Sequence, residues 1–193
     1  MKVIDGAKEP VDYLSRWDFD RLIDDHGLKV GVEVGVLDGA FSRGLLQSRI
    51  EKLYSVDTWQ YRKGQWDEIN YATAAVTLKA FGSRSEMVKA ESGEAAKRFG
   101  EGELDFVYMD AHHSKRAVER DVKLWFPKLR TGGVIAGHDW VREEDDDRLA
   151  KEHRRWKRKR SGVRQAISGH CEGRDVVVTI TGEPLASFWF KKW

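Results

Sequence analysis

The sequence predicts an α/β fold. A doubly wound sheet of seven strands, mostly parallel, carries helices on both faces and ends in a C-terminal antiparallel hairpin. Three observations lead there. Short apolar, strand-like runs recur at residues 29–36, 52–56, 86–88, 104–110 and 133–138. Helical spacing fills the gaps between them, at residues 41–48, 68–81, 93–99 and 114–129. Alternation of this kind is what parallel strands joined by crossover helices produce. After the fifth strand, residues 176–181 and 187–193 form two further β-like runs separated by Gly182, Glu183 and Pro184, which is the arrangement of a hairpin.

Each element has its own justification. Residues 11–25 place apolar side chains at helical spacing, so residues 1–28 are expected to form an N-terminal helical extension. Residues 29–36 alternate apolar side chains and run into a glycine loop, as a buried strand feeding a helix does. The second, fourth and fifth strands end at Asp57, Asp110 and Asp139. A mixed-charge stretch at 141–160 is expected to be an insertion, and a short helix at 162–167 precedes the hairpin. No internal repeat is present. At 193 residues the chain reads as a single domain, 1–193, long enough to bury a substantial core.

Composition narrows the class. Hydrophobic residues at 40% and charged residues at 34% describe a soluble globular protein, and a net charge of +2 is too small to predict a partner. The single cysteine, Cys171, excludes an intramolecular disulfide and suits a reducing compartment. No apolar run approaches the ~20 residues of a membrane span. The first ten residues lack the apolar core of a signal peptide, so the expected location is the cytoplasm. The charged stretch opens with Glu143, Glu144, Asp145, Asp146 and Asp147 and closes with bases from Arg154 to Arg160 around Trp156. It reads as a solvated, partly helical excursion, or as a basic face for phosphates with Trp156 available to stack. Acid and base cancel and no second basic cluster extends the footprint, so nucleic acid is not the expected partner.

The most informative stretch is Val30 to Gly39. Gly35 and Gly39 sit four apart, which is not the G-x-G-x-x-G of dinucleotide sites, and Asp38 lies inside the turn. A carboxylate there would repel a pyrophosphate at the following helix N-terminus. A ligand with a positive centre tolerates Glu33 and Asp38 better, and S-adenosylmethionine, with its sulfonium and amino group, is such a ligand.

Five segments in order carry a family resemblance. They are residues 32–39 (VEVGVLDG), 53–59 (LYSVDTW), 104–114 (LDFVYMDAHHS), 129–140 (LRTGGVIAGHDW) and 162–167 (GVRQAI). Through them the chain resembles the class I S-adenosylmethionine-dependent methyltransferases, whose sheet is Rossmann-like. Within these it is most similar to the small O-methyltransferases of sugars and secondary metabolites related to macrocin O-methyltransferase, and more distantly to catechol O-methyltransferase. The resemblance implies methyl transfer to a hydroxyl oxygen of a small molecule or sugar. It gives Glu33, Gly35 and Gly39 the methionine side of the cofactor and Asp57 the ribose hydroxyls. It sets Glu91 and Ser92 beside the adenine. For Asp57 the position at a strand end, 24 residues after Glu33, points the same way. Ser92 reads equally well as a helix cap.

Two adjacent strand ends bring Asp110 and His113, then His138 and Asp139, to one rim. Oxygen ligands suit magnesium or manganese, so Asp110, His138 and Asp139 are expected to hold a divalent ion. His138 stands where metal-dependent relatives carry an Asp, and an imidazole shifts the preference toward softer ions. The alternative is that these residues only shape the pocket. Asp110-x-x-His113 resembles the pattern in which relatives use the histidine as general base, and an ordinary imidazole pKa of about 6.5 suits that task. Asp110 is expected to serve both the cofactor and the reacting hydroxyl; Asp121 either orients part of the rim or, equally well, serves in capping or a surface pair. Trp59, Trp66 and Trp140 are expected to overhang the pocket, and residues 60–71 to select the acceptor. Two competing readings remain. One is a nucleic-acid-modifying enzyme using residues 154–160, and the other is a non-catalytic module that keeps the cofactor fold as a scaffold.

Overall fold

The computed structural model describes residues 1–60, 65–145 and 162–193. Strands β1 (Lys2–Asp5), β2 (Val30–Val34), β3 (Lys52–Asp57), β4 (Ser85–Lys89), β5 (Leu104–Met109), β6 (Leu129–Trp140), β7 (Val177–Ile180) and β8 (Ala186–Lys191) form one sheet. Helices α1 (Phe19–Asp25), α2 (Ala40–Leu45), α3 (Gln65–Lys79), α4 (Ser92–Ala96), α5 (Lys115–Trp125) and α6 (Gly162–Cys171) accompany it. The strand order is β1-β7-β8-β6-β5-β2-β3-β4. All pairings are parallel except those of β8 with β6 and β7, so the expected C-terminal hairpin is present.

Alternation along the central strands divides the core. Val107 and Met109 of β5 face one layer with Val32, Val34 and Trp125, whereas Phe106 and Tyr108 face the other with Phe19, Phe41 and Val134. A strand buried on both faces reads as a nearly continuous apolar run, which is why residues 30–34 and 104–109 are so legible. Pro127 follows α5 within the short 3-10 turn at Phe126–Lys128 and stops the helix there.

The N-terminal region departs from expectation. Lys2–Asp5 is an eighth strand, added parallel to β7 with Lys2 opposite Val177 and Asp5 opposite Ile180. Of the expected helix over residues 11–25, only Phe19–Asp25 is α-helical. Ser15 and Asp18 form a capping box that starts a 3-10 turn at Arg16, and Asp18 also accepts from the Leu14 and Ser15 amides. These local bonds end the chain's freedom to be helical before residue 15. The charged insertion expected at 141–160 lies outside the described residues from 146 onward.

The order in which strands are added reverses between the parallel neighbours β2 and β5. From β2 the connections run outward through β3 to β4, then return past β2 to β5 and β6. Ligands bind at such a switch point, beyond the C-terminal strand ends.

Candidate active site at the switch point

A cavity of about 710 Å³ opens at that point, lined by Arg16, Trp17, Glu33, Gly35, Asp38, Phe41, Asp110 and His113 among others. Gly35 makes it possible. Its φ is +95°, and a Cβ there would stand 2.4 Å from the Asp110 carbonyl oxygen, so only glycine lets the β2 and β5 loops cross this closely. Leu37, two residues on, holds a φ of 57° without being glycine, a strain typical of functional loops.

Glu33 forms the floor. It is 1% exposed, and its Oε2 accepts from the Ser42 hydroxyl, which also lies 2.9 Å from Ser55 Oγ. Its Oε1 is buried with no partner. Burial pushes the Glu33 carboxyl up to about 8, against the Ser42 hydrogen bond and with a further push from the Asp110 charge. A buried carboxyl lacking one partner is costly to ionise, and a cationic ligand would remove that cost.

Asp57 supports the loop above. Its Oδ2 accepts from the Val36 amide at 2.7 Å and the Leu37 amide at 3.1 Å, and its Oδ1 from the Trp59 amide at 2.7 Å. Asp57 therefore fixes the glycine loop as well as occupying the strand end expected of it. Asp38 accepts from the Ala40 amide at 3.1 Å, at the first residue of α2.

The opposite wall is charged. Asp110 Oδ2 is 2.9 Å from Arg16 Nη2. Burial raises the Asp110 carboxyl above its ordinary range, opposed by the charges of Arg16, His138 and His113. Asp139 engages two imidazoles, with its Oδ2 3.1 Å from His113 Nδ1 and its Oδ1 3.1 Å from His138 Nδ1. Burial alone would raise Asp139, but the His138 hydrogen bond and both histidine charges bring it below the usual carboxylate value. Asp139 sits at φ 61°, beside the register shift in β6 between Gly137 and Trp140. Strained non-glycine backbone of this kind clusters at active sites and ligand clamps.

The structure thus brings Glu33, Gly35, Asp110 and His113 to one cavity, with Asp139 and His138 directly behind. It does not assemble the expected metal centre. Among the described residues no group of three or more His, Cys, Asp or Glu side chains could hold an ion. Asp139 gives both oxygens to imidazoles, and Asp110 faces a guanidinium that would repel a dication at close range. Asp110, His138 and Asp139 do not fit a divalent ion.

Other expectations are corrected in part. The Ser92 hydroxyl is engaged within the fold. That hydroxyl donates to Asp121 Oδ1 and accepts from Trp125 Nε1, each at 2.9 Å, inside the α4–α5 interface. Asp121 is accordingly a buried partner of Ser92, and its Oδ1 also lies 3.4 Å from Nη2 of the exposed Arg120. Glu91 is the N-cap residue of α4 without a side-chain capping bond. Trp59 and Trp140 are buried, Trp59 with its Nε1 donating to the Leu37 carbonyl at 2.7 Å, so neither overhangs the cavity. Trp66, on α3, is 70% exposed. Of residues 60–71, expected to select the acceptor, 61–64 lie outside the described residues, as do the bases at 154–160.

Sequence reasoning missed Arg16 and Glu183. Arg16 lies over the Phe41 ring at 4.2 Å, and its amide donates to Glu183 Oε1 at 2.9 Å. Glu183, in the β7–β8 turn, also accepts from Thr181 Oγ1 and Ser187 Oγ. The one available signal was Ser15-x-x-Asp18, a cap that fixes the turn carrying Arg16.

The fold and this site define a class. A sequence profile described as a methyltransferase domain matches residues 32–140, more than half of the chain, and the chain belongs to that family. No curated protein matches it. Among solved structures it is similar to a putative caffeoyl-CoA O-methyltransferase from Staphylococcus aureus, at a TM-score of 0.72 and 14% identity over 95% of this chain and 85% of that one. An O-methyltransferase from Bacillus cereus, solved with S-adenosylhomocysteine, superposes at a TM-score of 0.64 and 16% identity, covering 91% and 78%. TomG from Streptomyces achromogenes, an O-methyltransferase of tomaymycin synthesis solved with S-adenosylmethionine, gives 0.65 and 14%, covering 92% and 79%. At these identities the likeness is one of fold. No helix among the described residues is long and apolar enough to cross a membrane.

Proposed function

We propose that this methyltransferase moves the methyl group of S-adenosylmethionine to a hydroxyl oxygen of a small molecule or sugar. One observation carries the reading. A single cavity joins Glu33, buried with an unpartnered oxygen, to His113, whose Nδ1 is held by Asp139. The first suits the cationic part of the cofactor, and the second is a positioned base for a hydroxyl. Two of the fold relatives hold this cofactor or its product.

The cofactor supplies an electrophilic methyl group on a sulfonium. Glu33 would pair with its positive charge, and the loop from Gly35 to Gly39 would let it approach the backbone. Asp57, at the end of β3, would accept from the ribose hydroxyls, and the backbone around Glu91 would border the adenine. On the acceptor side, His113 Nε2 takes the hydroxyl proton while Asp139 holds the ring at Nδ1. Asp110 orients the hydroxyl. Most of the rate comes from holding nucleophile and methyl group in line and close. The chain acts as one unit, in the cytoplasm, in keeping with the buried free thiol of Cys171.

Calorimetry with S-adenosylmethionine, followed by a screen of phenols and sugars for release of S-adenosylhomocysteine, tests the reading. Saturable binding and release with a hydroxylated acceptor are expected. Absence of binding would remove the cofactor from the account, and binding without release across the panel would favour a scaffold role.

A further inference from the structure

Arg16 stands beside the carboxylate where a metal would be sought. Its Nη2 is 2.9 Å from Asp110 Oδ2, its guanidinium carbon is 4.2 Å from the centre of the Phe41 ring, and its Nε is buried without a partner. The side chain is not a loosely placed surface arginine. The capping box of Ser15 and Asp18 fixes its turn, and its amide is held by Glu183. Gly182 donates to the Leu14 carbonyl at 3.0 Å, tying the same turn to the C-terminal hairpin. Both anchors lie outside residues 32–140, the part that the chain shares with its family profile. The guanidinium therefore reaches the cavity from a segment that the family match does not include.

Resting on the proposed O-methyl transfer, we propose that Arg16 is a catalytic cation of the acceptor site and that transfer in this chain needs no divalent ion. The acceptor O–H gives its proton to Nε2 of His113. An oxygen lone pair forms the new C–O bond as the C–S bond breaks, and the electron pair of that bond stays on sulfur, which becomes a neutral thioether. Negative charge growing on the oxygen meets the Arg16 guanidinium across the cavity that both residues line. A guanidinium keeps its charge at every working pH and, being tethered, does not have to be recruited. A preorganised cation aimed at a developing oxyanion is among the largest single contributions an active site makes. Arg16 also neutralises Asp110, which otherwise would oppose the same charge.

Two arms test this on the full chain. In the first, manganese is titrated and followed by electron paramagnetic resonance, with and without S-adenosylhomocysteine. No stoichiometric binding is expected. One bound manganese per chain would overturn the proposal whether or not the chain methylates anything, so this arm is separate from the proposed function. The second arm uses the acceptor assay. Excess chelator should leave turnover within about twofold of the untreated protein, and Arg16→Ala should lower kcat by ~10²-fold with cofactor affinity within about threefold. Added guanidinium ion should restore turnover of Arg16→Ala by about tenfold or more, and added magnesium or manganese should not. Should Arg16→Ala fail to fold, Arg16→Lys is compared with Arg16→Met, and the lysine is expected to retain about tenfold more turnover because it keeps the charge. Loss of turnover in chelator, wild-type kcat in Arg16→Ala, or equal turnover of the lysine and methionine variants would each overturn the proposal.

Discussion

Nδ1 of His113 lies 3.1 Å from Oδ2 of Asp139, and this contact decides which ring nitrogen can accept a proton. The two residues come from the ends of neighbouring parallel strands, where Met109 of β5 pairs with Gly137 of β6. A carboxylate at Nδ1 favours the tautomer with its hydrogen there, leaving Nε2 basic. Asparagine at 139 can present its amide hydrogens to the ring and select the wrong tautomer. Asp139→Asn should therefore lower turnover by ~10²–10⁴-fold, the range of a lost general base. Cofactor affinity, read by calorimetry, should change little. His113→Gln should be as damaging as Asp139→Asn, since it keeps a hydrogen bond but cannot carry the proton away.

Glu33 gives a pH prediction with a definite sign. Its folded pKa of about 8 exceeds the ordinary 4.5. Between those values the folded chain retains a proton that the unfolded chain has released, so stability falls as pH rises from about 4.5 to about 8 and then levels. Glu33→Gln removes the titration. The variant's melting temperature should match the wild type near pH 5 and exceed it near pH 8.5, within about a unit of the shift. In the wild type, cofactor binding should release a proton near neutral pH, seen as a dependence of binding enthalpy on buffer ionisation. Glu33→Gln should abolish that dependence and weaken binding. A wild-type enthalpy independent of buffer would contradict the role given to Glu33.

Asp57 holds three backbone amides, so its removal should act on the loop as well as on the ligand. Asp57→Asn should weaken S-adenosylmethionine binding by ~2–3 kcal/mol, as loss of charge-assisted hydrogen bonds does, and lower the melting temperature too. Unchanged affinity with lowered stability would leave Asp57 a purely structural residue.

Gly35→Ala should be among the most damaging single-methyl additions in the chain. The new Cβ would meet backbone of Asp110 and Ala111 at 2.4–2.7 Å, at a φ of +95° that alanine rarely adopts. Denaturant unfolding should show a loss of more than ~2 kcal/mol, and any folded fraction should bind cofactor poorly. A stability near wild type would mean that the β2 and β5 loops can separate.

How far the sequence revealed the protein depended on the range of each signal. Strands β2, β3, β5 and β6 and the terminal hairpin were legible because central strands buried on both faces read as continuous apolar runs. β1 was not. Its four residues, Lys-Val-Ile-Asp, carry too little pattern, and their partner β7 lies some 175 positions away (Lys2 with Val177). Strand ends also pointed toward the cavity: Glu33, Asp110 and His113 line it, and Asp57 and Asp139 are buried near the ends of β3 and β6. Their partners were not legible. Nothing local to Asp110 announces Arg16, which is 94 positions earlier and is held by Glu183 from the opposite end of the chain. For the same reason Asp110 and Asp139 suggested a metal, since a list of acids does not show which cations already face them. The pairing of Ser92 with Asp121 and Trp125 was not legible either, being a tertiary contact without a sequence signature.

The most direct test of the account is a single-turnover assay with methyl-labelled S-adenosylmethionine and the acceptor found by screening. It compares the wild-type chain with His113→Gln across pH 5–9. The account predicts label on the acceptor oxygen, a wild-type rate that rises with pH as one imidazole loses its proton, and a ~10²–10⁴-fold slower variant without that rise. Label transfer by His113→Gln at the wild-type rate, with the same pH dependence, would contradict it.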